Sequence, residues 1–90
     1  MNNFFKNRIV LITGGTGSFG NAMTKKLLKM SPKEIRIFSR DEKKQDDMRK
    51  NFKNKKIKFF IGDIRDQKSI EQAVIGVDYI FHAAALKQVP

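Results

Sequence analysis

The sequence has no cysteine, which excludes a disulfide framework, thiolate metal sites and cysteine nucleophiles, and suits a reducing cytoplasm. It also lacks a long apolar run. Met1 to Arg8 sets Asn and Lys around Phe4 and Phe5, and the stretch Ile9 to Ile12 is cut short at Gly14. That is too brief for a signal-peptide core or a membrane span, so a soluble, cytoplasmic chain is expected. No repeat, low-complexity tract or interdomain linker interrupts the 90 residues, which leave room for a single core. Acidic residues are scarce, nine against nineteen Lys and Arg, for a net charge of +10. Such an excess fits nucleic acid, an acidic membrane surface or a phosphorylated small ligand. Its densest part, Arg40 to Lys58, reads as a solvated helix and loop. Aromatic residues do not alternate with it, so nucleic acid is not the expected partner.

Hydrophobic residues make up 40%, enough for a folded α/β unit. Apolar, β-branched runs occur at Ile9–Thr13, Ile35–Ser39, Ile57–Ile61 and Tyr79–His82, with helical patterns between them. The order β-α-β-α-β-α-β predicts parallel strands, right-handed crossovers and helices covering both faces of the sheet. It is the N-terminal portion of a doubly wound, Rossmann-type sheet, which normally continues past a fourth strand, so the chain reads as a single dinucleotide-binding domain that is truncated. The first helix is expected over Ser18 to Met30, burying Phe19, Ala22, Met23, Leu27 and Met30, with Ser31-Pro32 stopping it. The second is expected to open on a capping box, Ser39 as cap and Glu42 reaching back, with a thin apolar face of Met48 and Phe52. The third starts near Asp66, buries Ile70, Ala73, Val74 and Val77, and ends near Gly76.

The strongest motif is Thr13-Gly14-Gly15-Thr16-Gly17-Ser18-Phe19-Gly20, placed where a strand gives way to a helix. Gly14, Gly17 and Gly20 keep the T-G-x-x-G-x-x-G spacing, and Gly15, Gly17 and Gly20 fit G-x-G-x-x-G. A diphosphate must approach this backbone closely, and a Cβ at Gly17 stands in its way. The helix N-terminus offers free N–H groups to the anion, Thr16 and Ser18 add hydroxyls, and Gly20 lets the helix pack against the strand. The ATPase loop G-x-x-x-x-G-K-[ST] is excluded, because Asn21 follows Gly20.

An NAD site places a carboxylate near the end of the second strand. Here stand Phe38-Ser39-Arg40, then Asp41, Lys43 and Lys44. A hydroxyl and a guanidinium suit a 2′-phosphate, so NADP is favoured over NAD. The opposing reading makes Arg40 a surface residue and Asp41 a displaced ribose ligand. Asp63 is equally open to accepting the adenine amino group or capping a turn, with the Ile64 N–H nearby. His82 reads as a packed, hydrogen-bonded histidine. No metal site is expected.

Together, TGGTGSFG, FSRDEKKQDDM, FFIGDIRD and DYIFHAAALKQVP resemble the extended short-chain dehydrogenase/reductases that make bacterial surface polysaccharides. The likeness is greatest to the inverting UDP-N-acetylglucosamine 4,6-dehydratases, including those that also epimerise C5. The resemblance implies that Thr16, Gly17, Ser18 and Phe19 wrap the NADP phosphates. It likewise implies that Ser39, Arg40, Asp41, Glu42, Lys43 and Lys44 surround the 2′-phosphate and adenosine, and that Asp63 and Ile64 hold adenine. Ala83 would line the cofactor, and Lys87 would sit where cofactor and UDP-sugar meet. In that family hydride leaves sugar C4, water is lost across C5 and C6, and hydride returns to C6, with a Y-x-x-x-K pair for acid–base work. The only tyrosine, Tyr79, is followed four places later by Ala83, so no catalytic residue is expected in this chain, nor a sugar-binding domain. A UDP-sugar 4-epimerase of the same family is the alternative activity, and a non-catalytic dinucleotide-binding module the alternative class. A homo-oligomer is the expected state of the longer protein.

Overall fold

The computed structural model describes residues 4–83. Seven elements alternate: β1 (Ile9–Thr13), α1 (Ser18–Leu28), β2 (Glu34–Ser39), α2 (Glu42–Phe52), β3 (Ile57–Ile61), α3 (Gln67–Val74) and β4 (Tyr79–His82). The strands pair in parallel in the order β3-β2-β1-β4, with Val10 beside both Ile35 and Tyr79, and Ile35 beside Ile57. The chain steps outward from β1 to β3 and then returns across β1 to β4. That reversal is the switch point of a doubly wound sheet.

Alternation of side chains along each strand divides the core in two. Val10, Ile12, Ile35 and Ile37 pack with Leu27 of α1 and Met48 of α2. Leu11 and Phe38 point the other way and meet Ala73 of α3. Each fully buried aliphatic side chain contributes about 1.5–3 kcal/mol. β1 and β2 are the most buried strands, whereas on the flanking strands Ile61, Tyr79 and Ile80 are exposed. Among the described residues these strands have one neighbour each.

Three local expectations need correction. The buried residues of α1 are Gly20, Thr24 and Leu27, whereas Phe19 and Ala22 are exposed. Close approach at a glycine, not the richest apolar stripe, decides which side of this helix faces inward. The helix also stops at Leu28, two residues before Met30. The Lys29 and Met30 N–H groups bond back only three residues, to Lys26 and Leu27 (3.1 and 2.9 Å), tightening the last turn before Ser31 at φ 52°.

The third correction concerns α2. Its cap is Asp41, whose Oδ1 accepts from the Lys44 N–H at 3.0 Å. Ser39 is still the last residue of β2, paired with Ile61, and cannot also lead the helix. Asp66 caps α3 in the same way, accepting from the Lys68 N–H at 3.1 Å. Asp41→Ala is expected to lower stability by about 1 kcal/mol in urea denaturation, the usual cost of losing such a cap. At the far end of α3, Arg36 reaches from β2 to donate to the Ala73 and Ile75 carbonyls (2.8 and 2.6 Å), and Gly76 follows at φ 75°.

Candidate functional site

The bend after β1 is fixed from both sides. Gly14 adopts φ 65°, the left-handed region that favours glycine, and its N–H donates to the Phe38 carbonyl at 2.7 Å. Asn21 reaches back from α1, its Nδ2 donating to the Thr16 and Gly17 carbonyls at 3.1 and 2.9 Å. Gly20 lies directly beneath the bend: a Cβ there would stand 2.0 Å from the Gly15 oxygen and 2.5 Å from its Cα. The close contact expected between helix and strand is therefore a contact between helix and bend.

Gly17 is the N-cap of α1 and supplies no side-chain hydrogen bond, and the first turn holds no acidic residue. The other two helices both carry aspartate caps. Among the described residues the leading N–H groups of α1 thus have no side-chain cap, and they lie at the positive end of the helix dipole. A Cβ built on Gly17 meets nothing within 4 Å, so the space beside this bend is open. These features fit the diphosphate of a dinucleotide, an anion that accepts from backbone amides.

A crevice of about 940 Å³ runs from this bend across the C-terminal ends of β2 and β3. Thr13, Gly14, Thr16 and Gly17 line one end. Phe38, Ser39, Arg40, Asp41, Glu42 and Lys44 line the middle, and Gly62, Asp63, Ile64 and Arg65 close the other end. The Gly62 N–H donates to the Ser39 carbonyl at 3.0 Å, joining the last two groups. Asp63 carries the charge at that end. Its Oδ1 accepts from the Arg65 N–H (2.9 Å) and Nε (3.1 Å), its Oδ2 from Arg65 Nη2 (2.8 Å), and Arg40 Nη1 lies 3.6 Å away. The side-chain bonds from Arg65 hold the Asp63 carboxyl well below the usual carboxylate range. It therefore stays anionic until pH falls below that range.

Most of the residues expected at the site thus share one crevice. Ser18, Phe19, Gly20 and Lys43 do not line it: Gly20 is buried under the bend, and Lys43 lies on α2 beside Asp47 (3.6 Å). Ala83 is packed in the core cluster with Val10 and Ile12, because it closes β4 on the side that faces α1. Lys87 lies outside the described residues. His82 Nδ1 shares a 2.8 Å hydrogen bond with Thr13 Oγ1, as expected, but the residue is exposed and not packed. Sequence reasoning missed Thr13, Phe38, Gly62 and Arg65 as lining residues and Asn21 as the anchor of the bend. Asn21 had a signal: an amide side chain at the start of a helix readily bonds local carbonyls. Arg65 had none, since only the fold of the loop brings it onto Asp63.

Residues 10–90 match the family described as polysaccharide biosynthesis protein. A UDP-glucose 4-epimerase of Rickettsia akari is 62% identical over 90 residues, covering 96% of this chain and 26% of that protein. The chain thus spans about a quarter of the length of the curated relatives it matches. Among solved structures, Pen from Bacillus thuringiensis is 43% identical with a TM-score of 0.88, over 96% of this chain and 27% of its own. The Bordetella bronchiseptica enzyme WbmF, solved with NAD+ and UDP, superposes with a TM-score of 0.71 at 20% identity, over 91% of this chain and 24% of its own, a likeness of fold. Among the described residues no helix is long and apolar enough to cross a membrane. The chain belongs to the polysaccharide biosynthesis protein family and has a fold shared with a solved short-chain dehydrogenase of Bacillus anthracis (25% identity, TM-score 0.69, over 84% of this chain and 35% of its own).

Proposed function

We propose that this chain is the NADP-binding part of a cytoplasmic enzyme that oxidises a UDP-sugar at C4 during polysaccharide synthesis. The observation that carries the reading is the crevice itself, with amides lacking a side-chain cap at one end and Ser39 with Arg40 in its middle. The residues have a coherent division of work. The bend from Gly14 to Gly17 receives the diphosphate, Ser39 and Arg40 donate to the 2′-phosphate, and Asp63 with Ile64 faces adenine. When bound, the dinucleotide supplies hydride acceptance and return at a sugar carbon.

Two outcomes can follow oxidation at C4. The name of the Rickettsia akari relative favours 4-epimerisation. The SRDE and HAAALKQVP segments favour 4,6-dehydration by their likeness to the dehydratases. Chromatographic separation of the UDP-sugars followed by mass detection decides between them when the product of the whole gene is incubated with UDP-glucose or UDP-N-acetylglucosamine. An isomer of unchanged mass means epimerase, and loss of one water means dehydratase. Binding of neither NADPH nor NADH would remove the reading altogether.

The cofactor preference has its own test. Arg40→Ala is expected to weaken NADPH about tenfold in calorimetric titration, the effect of one charge-assisted contact, and to leave NADH little changed. Equal losses would take away the basis for choosing NADP.

A further inference from the structure

Only two side chains of α2 are buried, Met48 and Gln45. A buried glutamine on a helix of charged residues needs a reason, because an amide leaves water at a cost unless it is hydrogen-bonded. Gln45 Nε2 lies 2.8 Å from the Phe60 carbonyl, 3.1 Å from Ser39 Oγ and 3.4 Å from the Ser39 carbonyl. A backbone carbonyl can only accept, so the amide end facing Phe60 is the NH2 group. Its two hydrogens go to Phe60 and Ser39, and Ser39 Oγ is thereby an acceptor. The reverse orientation would set Gln45 Oε1 against two carbonyls. As it stands, Oε1 has no partner among the described residues, so the donor side alone fixes the amide.

The consequence falls on Ser39. A hydroxyl that accepts from a fixed neighbour keeps its own hydrogen for another acceptor, and Ser39 lines the crevice beside Arg40. We propose that Gln45 is a positioning residue for cofactor choice, reserving the Ser39 hydrogen for the phosphate monoester on the ribose of NADP. This rests on the reading of the crevice as a dinucleotide site. A phosphate monoester only accepts, so it needs the donor that Gln45 enforces. A ribose 2′-hydroxyl can donate or accept and tolerates either orientation. Without Gln45 no donor holds the Ser39 hydroxyl in one orientation, and the phosphate loses a fixed donor.

The test uses the product of the whole gene and calorimetric titration of NADPH and NADH. Gln45→Met keeps the volume and removes the donor, and Gln45→Glu replaces the donor with an acceptor. Each is expected to lower the NADPH-to-NADH affinity ratio about tenfold. Ser39→Ala is expected to lower it similarly, and adding Gln45→Met to Ser39→Ala to lower it no further, because the two act through one hydrogen. Thermal melts separate a packing effect from this one. A packing role would weaken both cofactors alike and be additive with Ser39→Ala, and that result overturns the proposal. An unchanged ratio in both Gln45 variants, with NADPH still preferred by the parent protein, overturns the proposal while leaving the dinucleotide reading intact. Failure of the parent protein to bind either dinucleotide overturns both.

Discussion

Gly17→Val is expected to weaken dinucleotide binding at least about 100-fold while leaving the melting temperature of the protein nearly unchanged. The two halves of this expectation have separate causes. Gly17 has φ −81° and ψ −174°, an extended conformation that valine adopts readily, and a Cβ there meets no protein atom within 4 Å. The fold therefore has room for the side chain. The open space it would fill lies at the N-terminus of α1, where a diphosphate must come within hydrogen-bond range of the backbone. Each lost hydrogen bond to a charged group is worth about 1.5–3 kcal/mol, so losing two reaches the stated factor. Calorimetric titration paired with a thermal melt checks both halves. Full affinity in the valine variant would mean that the ligand does not use this bend.

Gly20→Ala is expected to cost stability as well as affinity, although it adds only one methyl group three residues away. Its Cβ would meet the Gly15 oxygen, carbonyl carbon and Cα at 2.0, 2.3 and 2.5 Å. All three are backbone atoms, so no rotamer change relieves the overlap. Either α1 lifts from the bend or the bend itself moves, and the Asn21 bonds to Thr16 and Gly17 are disturbed with it. Overpacking of this kind costs about 3 kcal/mol, near the upper end of its usual range. Chemical denaturation should show that loss, and NADPH affinity should fall because the amides are displaced. An unaltered denaturation midpoint would contradict the contact. Comparing the two glycines separates a position kept clear for a ligand from one kept clear for the chain.

The crevice and the stability of the fold share α2. Asp41 and Lys44 line the crevice and also form the cap of this helix, while Gln45 ties it to the ends of β2 and β3. Substitutions between residues 39 and 45 should thus be judged by affinity ratios together with melting, because either readout alone confuses the two roles.

The sequence by itself determined the four strands, the alternation of helices and the bend at Gly14 to Gly20. Those signals are local: apolar β-branched runs, helical periodicity and glycines at fixed spacing are written in neighbouring residues. It also placed Ser39, Arg40 and Asp63 at strand ends, which in a parallel α/β sheet gather at one edge. The tertiary structure alone decided which helix face turns inward, because the approach of α1 is set by Gly20 against Gly15, a contact invisible to hydrophobic pattern. It moved the α2 cap from Ser39 to Asp41, since pairing with β3 keeps Ser39 in the strand. It brought Arg65 and Arg40 onto Asp63, and it turned Gln45 from one polar residue among many into the partner of Ser39. In each case the deciding contact joins groups from different elements or different sides of a turn, and a linear pattern carries no distance between them.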